Sequence, residues 1–158
     1  MGLIGISPII SPELLVTLAR MGHGDSICFA DANFPSEGLG RPVVRADGHE
    51  VASLLRAVAK LFPLDTYTEN PVKMMAAVQG DELDPTIEER FRTTIEQTQP
   101  GMFKMERIER FEFYERAKAC FAVVATGETA KYGNIILVKG VLGVSDGPAG
   151  ETTFQLSS

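Results

Sequence analysis

The chain has 158 residues, with 21 acidic against 15 basic side chains, a formal charge of −6 and a sequence pI near 5.0. Its Lys and Arg are scattered, which argues against a nucleic-acid groove, because phosphate binding draws on clustered basic groups. A domain of this length buries roughly two thirds of its unfolded surface, no apolar run reaches transmembrane length, and no signal-peptide pattern opens the chain, so a soluble cytoplasmic protein with no membrane partner is expected.

In chain order, Ser11 and Pro12 read as an N-cap with proline at the first helical position. Leu14, Leu15, Leu18 and Met21 then fall on one face of a helix that stops at Gly22. A strand follows over Ser26 to Ala30. The Gly- and Pro-rich stretch from Asp31 to Pro42 is long enough for a lid or a binding loop, and it leads into the β-like run Val43, Val44 and Arg45. A second helix from about His49 to Leu61 carries Val51, Leu54, Leu55, Val58 and Leu61 at helical spacing and stops ahead of Pro63. Met74 to Val78 reads as a buried strand, and Asp84 with Pro85 starts a polar helix that runs to about Thr98. RIERFEFYERAKA is strand-like to about Arg110 and helical from there to Ala119. Cys120 to Ala125 and Ile135 to Val138 are apolar and β-branched, as central strands buried on both faces are. Cys28 and Cys120 stand outside any CxxC or Cys/His spacing and read as small buried hydrophobes.

This alternation predicts one α/β domain over residues 1–142, a three-layer αβα arrangement around a mixed, largely parallel central sheet. Residues 143–158, rich in Gly, Ser and Thr, read as a loose tail.

Among chemistry-bearing residues, His23 stands out. It is one of two histidines and lies in MGHGDS, where a helix pattern gives way to a strand pattern. The bracketing glycines are consistent with a simple helix cap and turn, and equally with a site. Asp31 emerges at the carboxyl end of the strand that follows, where open α/β sheets bind ligands, and an imidazole suits either side of a general acid/base exchange. Without a GxGxxG, P-loop, GxSxG or HExxH motif, hydride transfer, phosphoryl transfer, serine hydrolysis and zinc proteolysis lose their usual sequence support. A metal site would have to draw on His23, Asp31 and distant carboxylates, and none is expected.

Asp65 in PLDTY either begins a turn or serves a site, whereas Asp47 in RADG reads first as a turn. Arg110 and Tyr114, four apart, share a helical face, and read either as site groups or as a snorkelling arginine beside a half-buried tyrosine. TGETAKYGN joins two apolar strands as a loop in which Gly133 supplies a positive φ, while Tyr132 and Asn134 offer a hydroxyl and an amide to a polyhydroxy ligand.

The segments MGHGDSICFADANFP, VVRADG, LFPLDTY, FEFYERAKACFAVVATGE and AKYGNIILVKGV occur in this order between Ile6 and Val141. Together they resemble the fucose mutarotase branch of the ribose pyranase and fucose mutarotase family. The resemblance implies an isomerase that interconverts the α and β anomers of L-fucose, or of a similar free monosaccharide, with no metal and no cofactor. Exchange of D-ribose between pyranose and furanose forms, as in the sister branch, and a non-catalytic sugar-binding ring are the alternatives.

It also implies site roles: His23 as proton donor, Tyr114 as a second acid/base group, and Asp31, Asp65, Arg110, Tyr132, Gly133 and Asn134 as substrate-binding residues. In the mechanism this implies, His23 protonates the ring oxygen while Asp31 holds the imidazole tautomer and a sugar hydroxyl. The family forms homo-oligomeric rings, commonly decamers of two stacked pentamers, in which a neighbouring subunit completes each site. The loop SEGLGRP and the tail beyond Val141 are where this chain departs from its relatives.

Overall fold

The computed structural model describes residues 1–99, 101 and 103–143; the tail expected from 143 lies, from 144 onward, outside the described residues. The elements are α1 (Pro12–Arg20), β1 (Ser26–Ala30), a 3-10 turn (Glu37–Leu39), β2 (Val43–Ala46), α2 (Val51–Val58), β3 (Val72–Met75), α3 (Ile87–Glu96), β4 (Met105–Ile108), α4 (Arg110–Ala119), β5 (Ala122–Thr126) and β6 (Ile135–Val138). They build one six-stranded sheet in the order β2-β5-β1-β6-β3-β4. β6 runs antiparallel to both its neighbours, and every other pair is parallel. The sheet is therefore mixed and largely parallel.

Strand alternation distributes the side chains between two cores. Ile27 and Phe29 of β1, Val124 of β5, and Ile135 and Leu137 of β6 pack with α1, α2 and α3 on one face. Their neighbours Cys28, Ala30, Val123 and Ile136 pack on the other face with Phe113 and Ala117 of α4. The result is the αβα layering read from the sequence. Phe29, Phe91 and Phe113 are wholly buried, and each contributes roughly 1.5–3 kcal/mol of apolar burial. No described helix is long and apolar enough to cross a membrane.

Local signals set several boundaries as read. Ser11 Oγ accepts from Leu14 N at 3.1 Å to open α1, and the Glu109 carboxylate accepts from Phe111 N and Glu112 N to open α4 at Arg110. Other boundaries move for tertiary reasons. α2 is shorter at both ends than the hydrophobic spacing: Glu128 Oε2 accepts from Val51 N at its start, and the Gln99 amide donates to Ala59 O and Phe62 O at its end.

β3 begins two residues before Met74 and stops at Met75, because Val78 N turns out of the ladder to donate to Tyr132 Oη at 3.4 Å. α3 starts at Ile87, not Pro85, since Asp84 Oδ1 accepts from both Thr86 N and Thr86 Oγ1 and closes a turn first. β5 starts at Ala122 because Cys120 N still caps α4, donating to Ala117 O.

The end of β6 is stitched to the segment after α2. Asp65 N donates to Val138 O at 3.0 Å, Gly140 N to Pro63 O at 2.8 Å, and Leu64 bridges Lys139. The approach requires glycine, because a Cβ at 140 would sit 2.5 Å from Leu64 O and 2.9 Å from Asp65 Cα, both backbone atoms. Gly140→Ala is expected to lower unfolding free energy by about 1–3 kcal/mol through this overpacking. Urea titration of the variant reads the loss, and an unchanged midpoint and slope would contradict the assignment.

Candidate active site

The sequence-derived candidates gather at two opposite ends of β1. At its amino end, α1 gives way to the MGHGDS turn, in which Gly22 N donates to Asp25 Oδ2 at 2.7 Å. Gly24 N donates to Lys139 O and Lys139 N to Asp25 O, both at 2.8 Å, so the turn is tied to the same end of β6 that holds Asp65. Two loops 42 residues apart thereby meet, and His23 Nε2 lies 3.0 Å from Asp65 Oδ1. The Asp65 side chain is 6% exposed and that of His23 46%.

Burial alone would raise the Asp65 carboxyl, but hydrogen bonds from Tyr67 N, His23 and Thr68 N together hold it below its ordinary value. Ionised Asp65 accepts hydrogen bonds only. The proton shared with neutral His23 therefore sits on Nε2, leaving Nδ1 as the free basic nitrogen. The Tyr67 ring leans beside the imidazole, 5.2 Å between centroids.

At the carboxyl end of β1 a cavity of about 210 Å³ opens between the strand ends and α4. Asp31, Asn134, Tyr132, Arg110 and Tyr114 all line it, together with Asn33, Phe34, Met75, Asp81 and Lys131. Asp31 and Asn134, 103 residues apart in the chain, are paired twice: Asp31 N donates to Asn134 Oδ1 at 2.7 Å, and Asn134 Nδ2 donates to Asp31 Oδ2 at 2.9 Å. Burial pushes the Asp31 carboxyl up, and the charge of Glu128 adds to this, against hydrogen bonds from Asn33, Asn134 and Phe34 that pull it down.

Arg110 and Tyr114 project from the first two turns of α4 into this cavity. The Arg110 guanidinium lies over the Phe111 ring at 4.6 Å, and its Nε is buried with no hydrogen-bond partner among the described residues. Tyr114 packs edge-on against Phe34, 5.5 Å between centroids, so the polar groups face an apolar wall.

The turn before β6 differs from its sequence reading. The positive φ falls on Tyr132, at 58°, and not on Gly133. Gly133 is needed for a different reason: a Cβ there would lie 2.9 Å from Glu128 Cγ and 3.0 Å from Ala130 O. Glu128, only 3% exposed, accepts from Val51 N and Ala130 N and its carbonyl takes Ala32 N, tying the turn to α2 and to the loop after β1. A second expectation is also corrected. Within one chain Asp31 does not hold the His23 tautomer; Asp65 does. The five residues of β1 keep the two ends roughly 15 Å apart at a rise of about 3.3 Å per residue.

Residues 4–142 match the sequence profile of the RbsD / FucU transport protein family. The chain belongs to this family. Among RbsD / FucU members, it is 56% identical over 137 residues to the L-fucose mutarotase of Histophilus somni strain 129Pt, covering 87% of this chain and 95% of that one. The L-fucose mutarotase of Actinobacillus pleuropneumoniae serotype 5b is 55% identical over the same shares. In structure, it is similar to the fucose mutarotase of Streptococcus pneumoniae solved in complex with L-fucose, with a TM-score of 0.84, 43% identity, and coverage of 89% of this chain and 100% of that one. FucU from Bifidobacterium longum gives a TM-score of 0.83 at 44% identity over 88% and 99% of the chains.

The sequence reading did not single out Asp81, Lys131, Phe34 or Met75, all of which line the cavity. Asp81 carried a usable signal, because it follows Gly80 just beyond an apolar strand, much as Asp31 follows β1. Asp65 dictates the His23 tautomer, and long-range 15N–1H NMR tests this directly. Neutral His23 is expected to show Nε2–H in the wild type and a mixture of tautomers in Asp65→Ala; a dominant Nδ1–H form in the wild type would contradict the geometry.

Proposed function

We propose that this protein is an L-fucose mutarotase that speeds exchange between the α and β anomers by acid/base-assisted ring opening. The observation that carries the reading is the near-full-length identity of 55–56% to proteins named L-fucose mutarotase. The likeness to a fucose mutarotase solved with L-fucose supports it.

The chemistry needs only groups the chain supplies. Ring opening puts a proton on the ring oxygen and takes one from the anomeric hydroxyl; the aldehyde rotates and the reverse transfers close it on its other face. Protonated His23, oriented through Nε2 by Asp65, donates from Nδ1 to the ring oxygen and recovers the proton on closure. Tyr114 is the second acid/base group. Asp31, Arg110, Tyr132 and Asn134 grip sugar hydroxyls, Gly133 lets their turn close, and Asp65 holds His23. Assistance of this kind is worth about 100- to 10,000-fold.

The separation of His23 from the sugar-binding cavity supports one more element of the reading. A site with both parts forms when the His23–Asp65 end of one copy faces the Asp31–Arg110 cavity of another, in a homo-oligomeric ring such as a decamer. We place this activity in the cytoplasm, a compartment that fits the free, buried Cys28 and Cys120.

Saturation-transfer NMR of L-fucose tests the reading. The wild type is expected to accelerate anomer exchange and His23→Ala to lose about 100-fold or more of that acceleration. Equal rates for the two proteins would overturn the mechanism. Acceleration of D-ribose pyranose/furanose exchange without any effect on L-fucose would overturn the substrate assignment.

A further inference from the structure

Asp81 lies outside every element, on the turn that follows β3, where its N–H donates to Val78 O at 3.0 Å. Its carboxylate gathers three donors: Tyr132 Oη at 2.8 Å, Lys131 Nζ at 2.9 Å and Glu82 N at 2.9 Å. Two of the three come from the turn that carries Tyr132 and Asn134 into β6, and Asp81, Lys131 and Tyr132 all line the same cavity. Tyr132 needs an external anchor, because its backbone occupies the left-handed region that a bulky residue seldom adopts.

We propose that Asp81 is a positioning residue of the sugar cavity: it anchors the Tyr132 phenol by accepting the hydrogen bond from its hydroxyl, so that Tyr132 meets the sugar as a hydrogen-bond acceptor. This rests on the sugar site described above and deepens it.

Hydrogen bonds from Lys131 and Tyr132 bring the Asp81 carboxyl down to about 2, so near neutral pH it is ionised and accepts only. The proton between the two oxygens is then the phenol's own. A phenol has one hydrogen to give, and it is already given. The oxygen keeps acceptor capacity, part of it met by the long contact from Val78 N at 3.4 Å. Arg110, across the same cavity, has donors only. Tyr132 thus offers the cavity an acceptor and Arg110 offers donors, and the ligand group that can meet either is a hydroxyl, which both donates and accepts. An ether or a fluorine in place of that hydroxyl cannot donate and is selected against.

The test compares Asp81→Ala, Asp81→Asn, Tyr132→Phe and the Asp81→Ala/Tyr132→Phe double variant, each first checked for a wild-type circular dichroism spectrum and melting curve. The chain has three tyrosines, so the ring 13Cζ resonance of Tyr132 is assigned by its loss in Tyr132→Phe. It is expected to shift in Asp81→Ala and to return toward the wild-type position in Asp81→Asn, whose carbonyl still accepts the phenol proton. In anomer exchange, Asp81→Ala is expected to raise KM for L-fucose roughly tenfold with a much smaller change in kcat, the loss typical of one charge-assisted hydrogen bond. In the Tyr132→Phe background the same substitution is expected to add almost nothing, because it acts through the hydroxyl. An unmoved Tyr132 resonance in Asp81→Ala overturns the proposal, as does a KM effect that persists in full without the Tyr132 hydroxyl. Were the wild type inactive on every sugar, the functional reading would fall while the resonance still decided whether Asp81 holds Tyr132.

Discussion

Among the described strands, β6 alone runs against the rest of the sheet, and it lies between β1 and β3. Its antiparallel pairing with β1, Ser26 opposite Val138 and Phe29 opposite Ile135, means that each end of β6 meets the opposite end of β1. The residues entering β6, Tyr132 to Asn134, therefore reach Asp31 at the carboxyl end of β1. The residues leaving it, Val138 to Gly140, reach the His23 turn and Asp65 at the amino end. One strand reversal positions both clusters of polar groups and also keeps them apart. A parallel β6 would send Asn134 to the wrong end of β1 and leave the buried N–H of Asp31 without its acceptor.

The polar groups at each end hold one another as much as they await a ligand. Asn134, 3% exposed, and Asp31, 8% exposed, satisfy each other through backbone and side chain, and leaving either unpaired in that setting costs roughly 1–3 kcal/mol. Tyr132 bears a left-handed backbone that costs of order 1–3 kcal/mol, offset by its contacts to Asp81 and Val78 and by the tight packing of Gly133 on Glu128. At the other end, Asp65 spends its lone pairs on two backbone amides and one imidazole. This leaves His23 with a fixed ring face and one unengaged nitrogen.

Much of this was legible in the chain because the signals are local. The Ser11–Pro12 cap, the apolar runs of β1 and β6, and the strand-to-helix switch at Arg110 depend on neighbours a few residues away, and they stand where the sequence puts them. The α/β layering follows from their alternation. What could not be read locally are pairings between distant segments. Nothing near Met74 announces that Val78 leaves the sheet for a tyrosine 54 residues further on. The partner of His23 is Asp65 rather than the nearer Asp31, because the strand between His23 and Asp31 is fully extended. At Gly133 the turn requires the lack of a Cβ, and the positive φ expected there belongs to its neighbour Tyr132.

In the proposed assembly, the acid/base half and the sugar-gripping half of a working site come from different copies of the chain. Subunit complementation tests it most directly: His23→Ala and Arg110→Ala proteins, each inactive alone, are co-assembled and assayed for L-fucose anomer exchange by saturation-transfer NMR. The mixture is expected to regain a substantial fraction of wild-type exchange, because some interfaces then join an intact His23 to an intact Arg110. A mixture that never exceeds the sum of its two components, despite demonstrated co-assembly, would contradict it.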